Sequence, residues 1–233
     1  MSKICIVLTQ YKRNHLEEQL IQIKKQTLKP DYLVVFQNEN HVNINHLKEK
    51  YEFIHVKSDI NTKFFGRFNY CFNIPADIFL ILDDDIIPGN NCIQNYVSQC
   101  IKHNGIIGGN GRYCFNNKNK LKSLRDVGIR NLLLVDYVGH LWCFKKDWLY
   151  HMFSVKPFTY NTGEDMHLCF SCNILGGIKS YLAEHKNLDD CSDIKFNKYA
   201  VDEFSSFKVT PSNLRLNIQK YWVKKGLKYI ISN

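Results

Sequence analysis

Residues 79–89 read Phe-Leu-Ile-Leu-Asp-Asp-Asp-Ile-Ile-Pro-Gly, an apolar run that ends in three consecutive carboxylates. At an effective dielectric near 20, two like charges about 4 Å apart repel by roughly 4 kcal/mol. Asp83, Asp84 and Asp85 therefore call for a compensating cation. A few oxygen donors at the rim of a sheet suit Mn2+ or Mg2+, which keep open positions for water and phosphate oxygens. The bland alternative is a solvated acidic turn, but the apolar strand in front fixes the position of these acids. A second pair, Glu164 and Asp165 in Asn-Thr-Gly-Glu-Asp-Met-His-Leu, opens a predicted helix. Acids there can act simply as partners of the helix dipole. Beside a bound diphosphate, one of them can instead take a proton from an incoming hydroxyl as a general base.

The surrounding pattern supplies the elements that must hold these groups. Residues 3–11 form a β-branched run, followed by Leu16, Leu20 and Ile23 at helical spacing with Asn14 as a candidate N-cap. Strands are expected at 31–40, 52–58 and 77–85, with helices at 41–51 and 66–74, the latter closed by Pro75. Beyond Gly89 come a helix at 91–103, a strand from 105 and a polar basic stretch at 116–130. Residues 132–152 read as a strand, a turn at Gly139, a second strand and a helix; a helix follows Gly163 and a last strand spans 178–185. Strands joined by helices give an α/β fold, Rossmann-like, with a mostly parallel central sheet flanked by helices. In such sheets ligands bind beyond the carboxyl ends of the strands, where the aspartates stand.

Composition narrows the partners. The chain has 233 residues, 45% hydrophobic and 23% charged, which is a globular balance. Its net charge of +9 fits anionic partners. The basic residues are scattered, as at Lys24-Lys25, Lys145-Lys146 and Lys224-Lys225, so no nucleic-acid partner is expected. Nine cysteines without zinc-ribbon spacing read as reduced thiols, Cys169 and Cys172 being core residues of a helix. The N-terminal apolar run is too short for a signal peptide and no stretch reaches about 18 apolar residues, so a soluble, cytoplasmic protein is expected.

Taken in order over roughly residues 4–186, these pieces resemble the GT-A glycosyltransferases, nucleotide-sugar-dependent enzymes of Rossmann-like fold, and most closely their family 2 type. Ile-Cys-Ile-Val-Leu-Thr-Gln-Tyr-Lys-Arg resembles the opening strand and loop that border the nucleotide base, which implies Thr9, Gln10, Tyr11 and Arg13 there. Gln37 and Asn38 stand where the family often has a base-contacting aspartate, a departure that leaves the base open. By the same resemblance Arg67, in Gly-Arg-Phe-Asn-Tyr-Cys-Phe, faces the diphosphate. Leu-Asp-Asp-Asp is similar to the Asp-x-Asp signature, implying Asp83 near the ribose, Asp85 on Mn2+ or Mg2+, and Asp84 in either role. Gly139, His140 and Trp142 line the implied donor-sugar and acceptor pocket. Gly-Glu-Asp resembles the family's Glu-Asp pair, which implies Asp165 as the base of an inverting transfer with Glu164 orienting the acceptor or the base. His185, after the last strand, takes the place of a third metal ligand.

The resemblance implies a hexosyl- or deoxyhexosyltransferase that uses a nucleotide-sugar donor, a UDP-sugar foremost, and a glycan or other hydroxyl acceptor. Residues 1–186 form the expected catalytic domain. Residues 187–233 form an extension that packs on or near the acceptor site or touches a membrane peripherally. Two rivals stand beside this reading: a retaining, exostosin-like transferase, and a non-catalytic basic module for polyanions.

Overall fold

The computed structural model describes residues 2–115, 122–124, 128–195, 199, 202–205, 208 and 211–231; most of the basic stretch at 116–130 lies outside them. The apolar runs become strands because burial on both faces leaves no place for alternation. β1 (Ile4–Gln10) is buried except at Thr9, and every residue of β4 (Ile78–Leu82) is buried. Between them lie α1 (Leu16–Lys25), β2 (Tyr32–Asn38), α2 (Asn45–Lys50), β3 (Ile54–Ser58) and α3 (Gly66–Tyr70), the last extended by a 3-10 turn at Cys71–Asn73. Leu16, Leu20 and Ile23 face the core as their spacing predicts. His15, not Asn14, occupies the N-cap of α1, without a side-chain cap.

The second half comprises α4 (Cys92–His103), β5 (Ile106–Tyr113), β6 (Lys122–Leu124), β7 (Leu133–Val135), β8 (Tyr137–Lys145), α5 (Trp148–Ser154), α6 (Glu164–Gly176), β9 (Ser180–Leu182) and α7 (Ser212–Lys224). The sheet runs β3-β2-β1-β4-β8-β5-β9-β7, with β6 on β5. Its first four strands are parallel. β8 enters antiparallel between β4 and β5, and β9 returns parallel to β5.

Gly139 makes no turn, contrary to the sequence expectation. It sits inside β8, which is held by ladders on both sides, so the chain absorbs the irregularity locally. The register against β5 shifts between Gly108 and Asn110, and His140 takes φ 68°. A left-handed non-glycine residue of this kind costs on the order of 1–3 kcal/mol and marks a place where backbone direction matters.

All nine cysteines are buried free thiols. After β9 the chain folds back over the aspartate run: Gly89 N donates to the Cys191 carbonyl (2.9 Å), and Ile194 N to the Ile87 carbonyl (2.8 Å). α7 then packs Trp222 against α6, its ring 5.2 Å from His167 and 6.2 Å from Phe170. No helix among the described residues is long and apolar enough to cross a membrane.

Candidate active site

Where β4 ends, the backbone of the three aspartates is pinned from several sides. Asp83 N donates to the His140 carbonyl (3.0 Å), so the strained residue of β8 holds the strand tip. From α1, Gln19 Nε2 donates to the carbonyls of Asp83 (2.8 Å) and Ile86 (2.9 Å). His15 Nδ1 lies 3.3 Å from the Asp84 carbonyl.

Two arginines oppose the acids. Arg67 is 3% exposed and binds Asp83 (2.5 Å), Thr9 Oγ1 (2.9 Å) and Glu164 (3.2 Å). Its guanidinium also lies 4.8 Å from the Trp142 ring centroid, a cation–π contact that fixes the planar group. Arg13 binds Asp84 (2.5 Å) and approaches Asp85 (3.5 Å), while Asp202 takes its Nε (2.6 Å) and Nη2 (2.7 Å). These cations do not balance the cluster. Burial first, then Asp83 and Asp84, push the Asp85 carboxyl up to about 8 despite Arg13, and Asp193 adds to the rise. Burial, then Asp165, raises Glu164 to about 7 against the pull of Arg67.

Glu164 and Asp165 are delivered by a glycine. Gly163 caps α6 at φ 81°, and a Cβ there would lie 2.4 Å from Ile218 of α7. Only glycine allows both the left-handed turn and the close approach of α7. Asp165 Oδ1 accepts from the Met166 amide (2.8 Å), and its Oδ2 is held by Arg215 Nη1 of α7 (3.3 Å).

These groups open onto one cavity of about 760 Å³ at the carboxyl ends of the parallel strands. At the β1–β2 end stand Thr9, Tyr11 and Asn38, with Asn61 donating to the Tyr11 hydroxyl (3.0 Å) and accepting from Asn38 (3.0 Å). Asp83, Asp84, Asp85, Arg13 and Arg67 occupy the middle. Gly139, His140, Trp142, Glu164 and Asp165 line the wall beyond.

Three sequence-selected residues lie elsewhere. Gln10 is 1% exposed and donates to the Arg13 carbonyl (2.6 Å). Gln37 is equally buried, donating to the Val42 carbonyl (2.7 Å) and meeting His55 (2.7 Å). Both amides tie down loop backbone and do not line the cavity. His185 is 1% exposed, with Tyr96 Oη 3.4 Å from its Nε2 and Cys191 Sγ 3.3 Å from its Nδ1. It follows β9, which stands three places from β4 in the sheet order. It is not among the residues that line the cavity holding the aspartates.

Asp193, unlike His185, lines the cavity. Its Oδ1 accepts from Ile87 N (3.3 Å) and Lys195 N (3.0 Å), and it lines the cavity near enough to act on Asp85. The acid-rich Leu-Asp-Asp-Cys-Ser-Asp stretch was the available sequence signal. Arg215, the one charged residue in Asn-Leu-Arg-Leu-Asn-Ile, and Tyr137, Asn110 and Arg112 were also missed. Asp85 and Asp193 form an oxygen-only donor set with an excess of negative charge, which fits Mg2+ or Mn2+. No three His, Cys, Asp or Glu side chains among the described residues form a complete cage, so phosphate or water oxygens would have to complete it.

No profile of a known protein family matches the chain, and no curated protein matches it in sequence. Solved structures do match in fold. Staphylococcus aureus TarS superposes with a TM-score of 0.56 at 12% identity, covering 80% of this chain and 37% of TarS. TarS 1–349 gives 0.54 at 13% identity, over 78% of this chain and 60% of that one. TarS 1–349 in complex with UDP gives 0.55 at 11%, over 79% and 59%. The chain thus spans less than two thirds of each of these proteins. The Rossmann-like GT-A fold implied by the sequence resemblance is the fold this chain has.

Proposed function

We propose that the protein is a nucleotide-sugar glycosyltransferase that moves a hexosyl or deoxyhexosyl group from a nucleoside-diphosphate donor, a UDP-sugar foremost, to a hydroxyl acceptor with inversion. One observation carries this reading: a single cavity joins Asp83–Asp85, Arg67 and the Glu164–Asp165 pair at the strand tips. The fold shared with a protein solved in complex with UDP supports it.

In this reading the nucleoside lies over the β1–β2 end, against Thr9, Tyr11 and Asn38. The diphosphate faces Arg13 and Arg67. Asp85, with Asp193, would hold Mn2+ or Mg2+, whose chemistry when bound is Lewis-acid stabilisation of the departing diphosphate. Asp165, oriented by Arg215, takes the proton of the acceptor hydroxyl as that oxygen attacks the anomeric carbon. The bond from the anomeric carbon to the diphosphate breaks, and its electron pair leaves with the phosphate oxygen beside the arginines. A single displacement inverts the anomeric centre. Glu164, bridged to Asp83 through Arg67, keeps the metal-side acids and the base-side helix in fixed relation.

The test is release of nucleoside diphosphate from a panel of UDP-, GDP- and TDP-sugars with Mn2+, with NMR of the product anomer. UDP-sugar turnover is expected. Asp165→Asn should bind donor but lose about 10²–10⁴ in kcat; Asp85→Ala should lose Mn2+-dependent donor affinity. Absence of nucleotide binding with and without Mn2+, together with heparin binding, would refute the reading in favour of a basic module. Product of retained configuration would refute the role of Asp165.

A further inference from the structure

The sheet order gives the cavity a direction. β2 and β5 are four places apart, with β1, β4 and β8 between them. At about 4.8 Å per strand the cavity spans roughly 19 Å, enough for a nucleoside diphosphate at one end and a second reactant at the other. The β5–β8 end has its own chemistry. Arg112 comes from β5, Tyr137 from β8 and Arg215 from α7, and all three line the cavity beside Asp165. Arg215 is anchored by Asp165 (3.3 Å) and uses one of its donors there. Arg112 donates to the Asn110 side-chain oxygen and, at 3.2 Å, to the Gly111 carbonyl. Both guanidinium groups act electrostatically on Tyr137.

Tyr137 is the decisive residue. It is 1% exposed, and its hydroxyl makes no hydrogen bond of normal geometry although it lies beside Arg215. Leaving a buried hydroxyl unmatched costs about 1–3 kcal/mol. An oxygen acceptor from a ligand would recover that cost. Guanidinium groups pair bidentately with phosphate and carboxylate oxygens, and each such bond is about twice as strong as one to a neutral group. A neutral glycan hydroxyl would gain about half as much from each.

We propose that the acceptor carries an anionic group, a phosphate ester or a carboxylate, close to its reacting hydroxyl, and that Arg112, Arg215 and the Tyr137 hydroxyl bind it. This rests on the glycosyltransferase reading for the word acceptor; the anion site itself stands on the three side chains. The group would hold the neighbouring hydroxyl against Asp165. Arg215 would then serve twice, orienting the base and engaging the acceptor.

The experiment titrates glycerol 3-phosphate, glucuronate, glycerol and glucose into the full chain, with and without UDP and Mn2+, by calorimetry. The anionic probes are expected to bind at least 10-fold more tightly than the neutral ones. Arg112→Gln and Arg215→Gln should each weaken anion binding at least 10-fold, Arg215→Lys should retain part of it, and Tyr137→Phe should lose about 3-fold or more. Far-UV circular dichroism and UDP affinity within two-fold of the parent identify variants that fold. The better of glycerol 3-phosphate and glucuronate assigns phosphate or carboxylate. Equal affinity for charged and neutral probes, or anion binding unchanged in folded Arg112→Gln and Arg215→Gln, overturns the proposal. UDP binding without anion binding sinks this inference alone. Arginine-dependent anion binding without UDP binding keeps the anion site and sinks the donor assignment.

Discussion

Glu164 offers a test that separates electrostatics from packing. Its carboxylate is buried, held by Arg67 at 3.2 Å, and pushed from 4.5 up to about 7 by burial and then by Asp165. The folded protein therefore holds a proton on this group that the unfolded chain has already released. Stability from that proton is fully present below about pH 4.5 and is lost as pH rises through about 7. Between pH 5 and pH 8 the two titrations differ by roughly 2–3 kcal/mol. Glu164→Gln keeps the shape and an oxygen acceptor for Arg67 but removes the titration. Urea unfolding of both proteins at pH 5, 6, 7 and 8 isolates the difference, because every other group is common to both. The variant should gain stability relative to the parent as pH rises, by about 2–3 kcal/mol over the range. A difference that stays flat, or that moves in the opposite direction, would refute the placement of Glu164 in a buried site short of positive charge.

Two packing predictions bear on how α7 reaches the site. Gly163→Ala forces a left-handed alanine and puts a methyl 2.4 Å from Ile218, so a loss of about 1–3 kcal/mol is expected in urea melts, with donor turnover reduced through displacement of Asp165. Trp222→Ala removes a side chain 1% exposed between α7 and α6. A loss of about 3–5 kcal/mol is expected, and if α7 positions Arg215, protease cleavage within residues 212–224 should accelerate.

Much of the site was legible in the sequence because its strongest signals are local. A strand buried on both faces shows as an unbroken apolar run, and a carboxylate cluster at its end is visible in eleven residues. Gly163 before Glu164 and Asp165 likewise announces a helix start in a handful of positions. Thr9, Tyr11, Arg13, Asn38 and Arg67 reach the cavity through the same logic, since each lies at or just beyond the tip of a strand or in the first turn of a helix. What failed were choices that depend on strand order. Gln10 and Gln37 have the right positions in sequence but turn to satisfy loop carbonyls. His185 follows a real strand, yet that strand lies on the far side of β5.

Sequence alone thus determined which residues form strands and helices and where the acids cluster, because propensity, hydrophobic pattern and charge repulsion act over neighbouring residues. Tertiary structure decided the antiparallel insertion of β8, the presence of Asp193 and not His185 on the cavity wall, and the arrival of Arg215 at Asp165 from 50 residues away and of Asp202 at Arg13 from 189. Those contacts are paid for by packing of whole elements, Trp222 on α6 and the 187–195 segment over the aspartates, and packing partners leave no periodic trace in a linear chain.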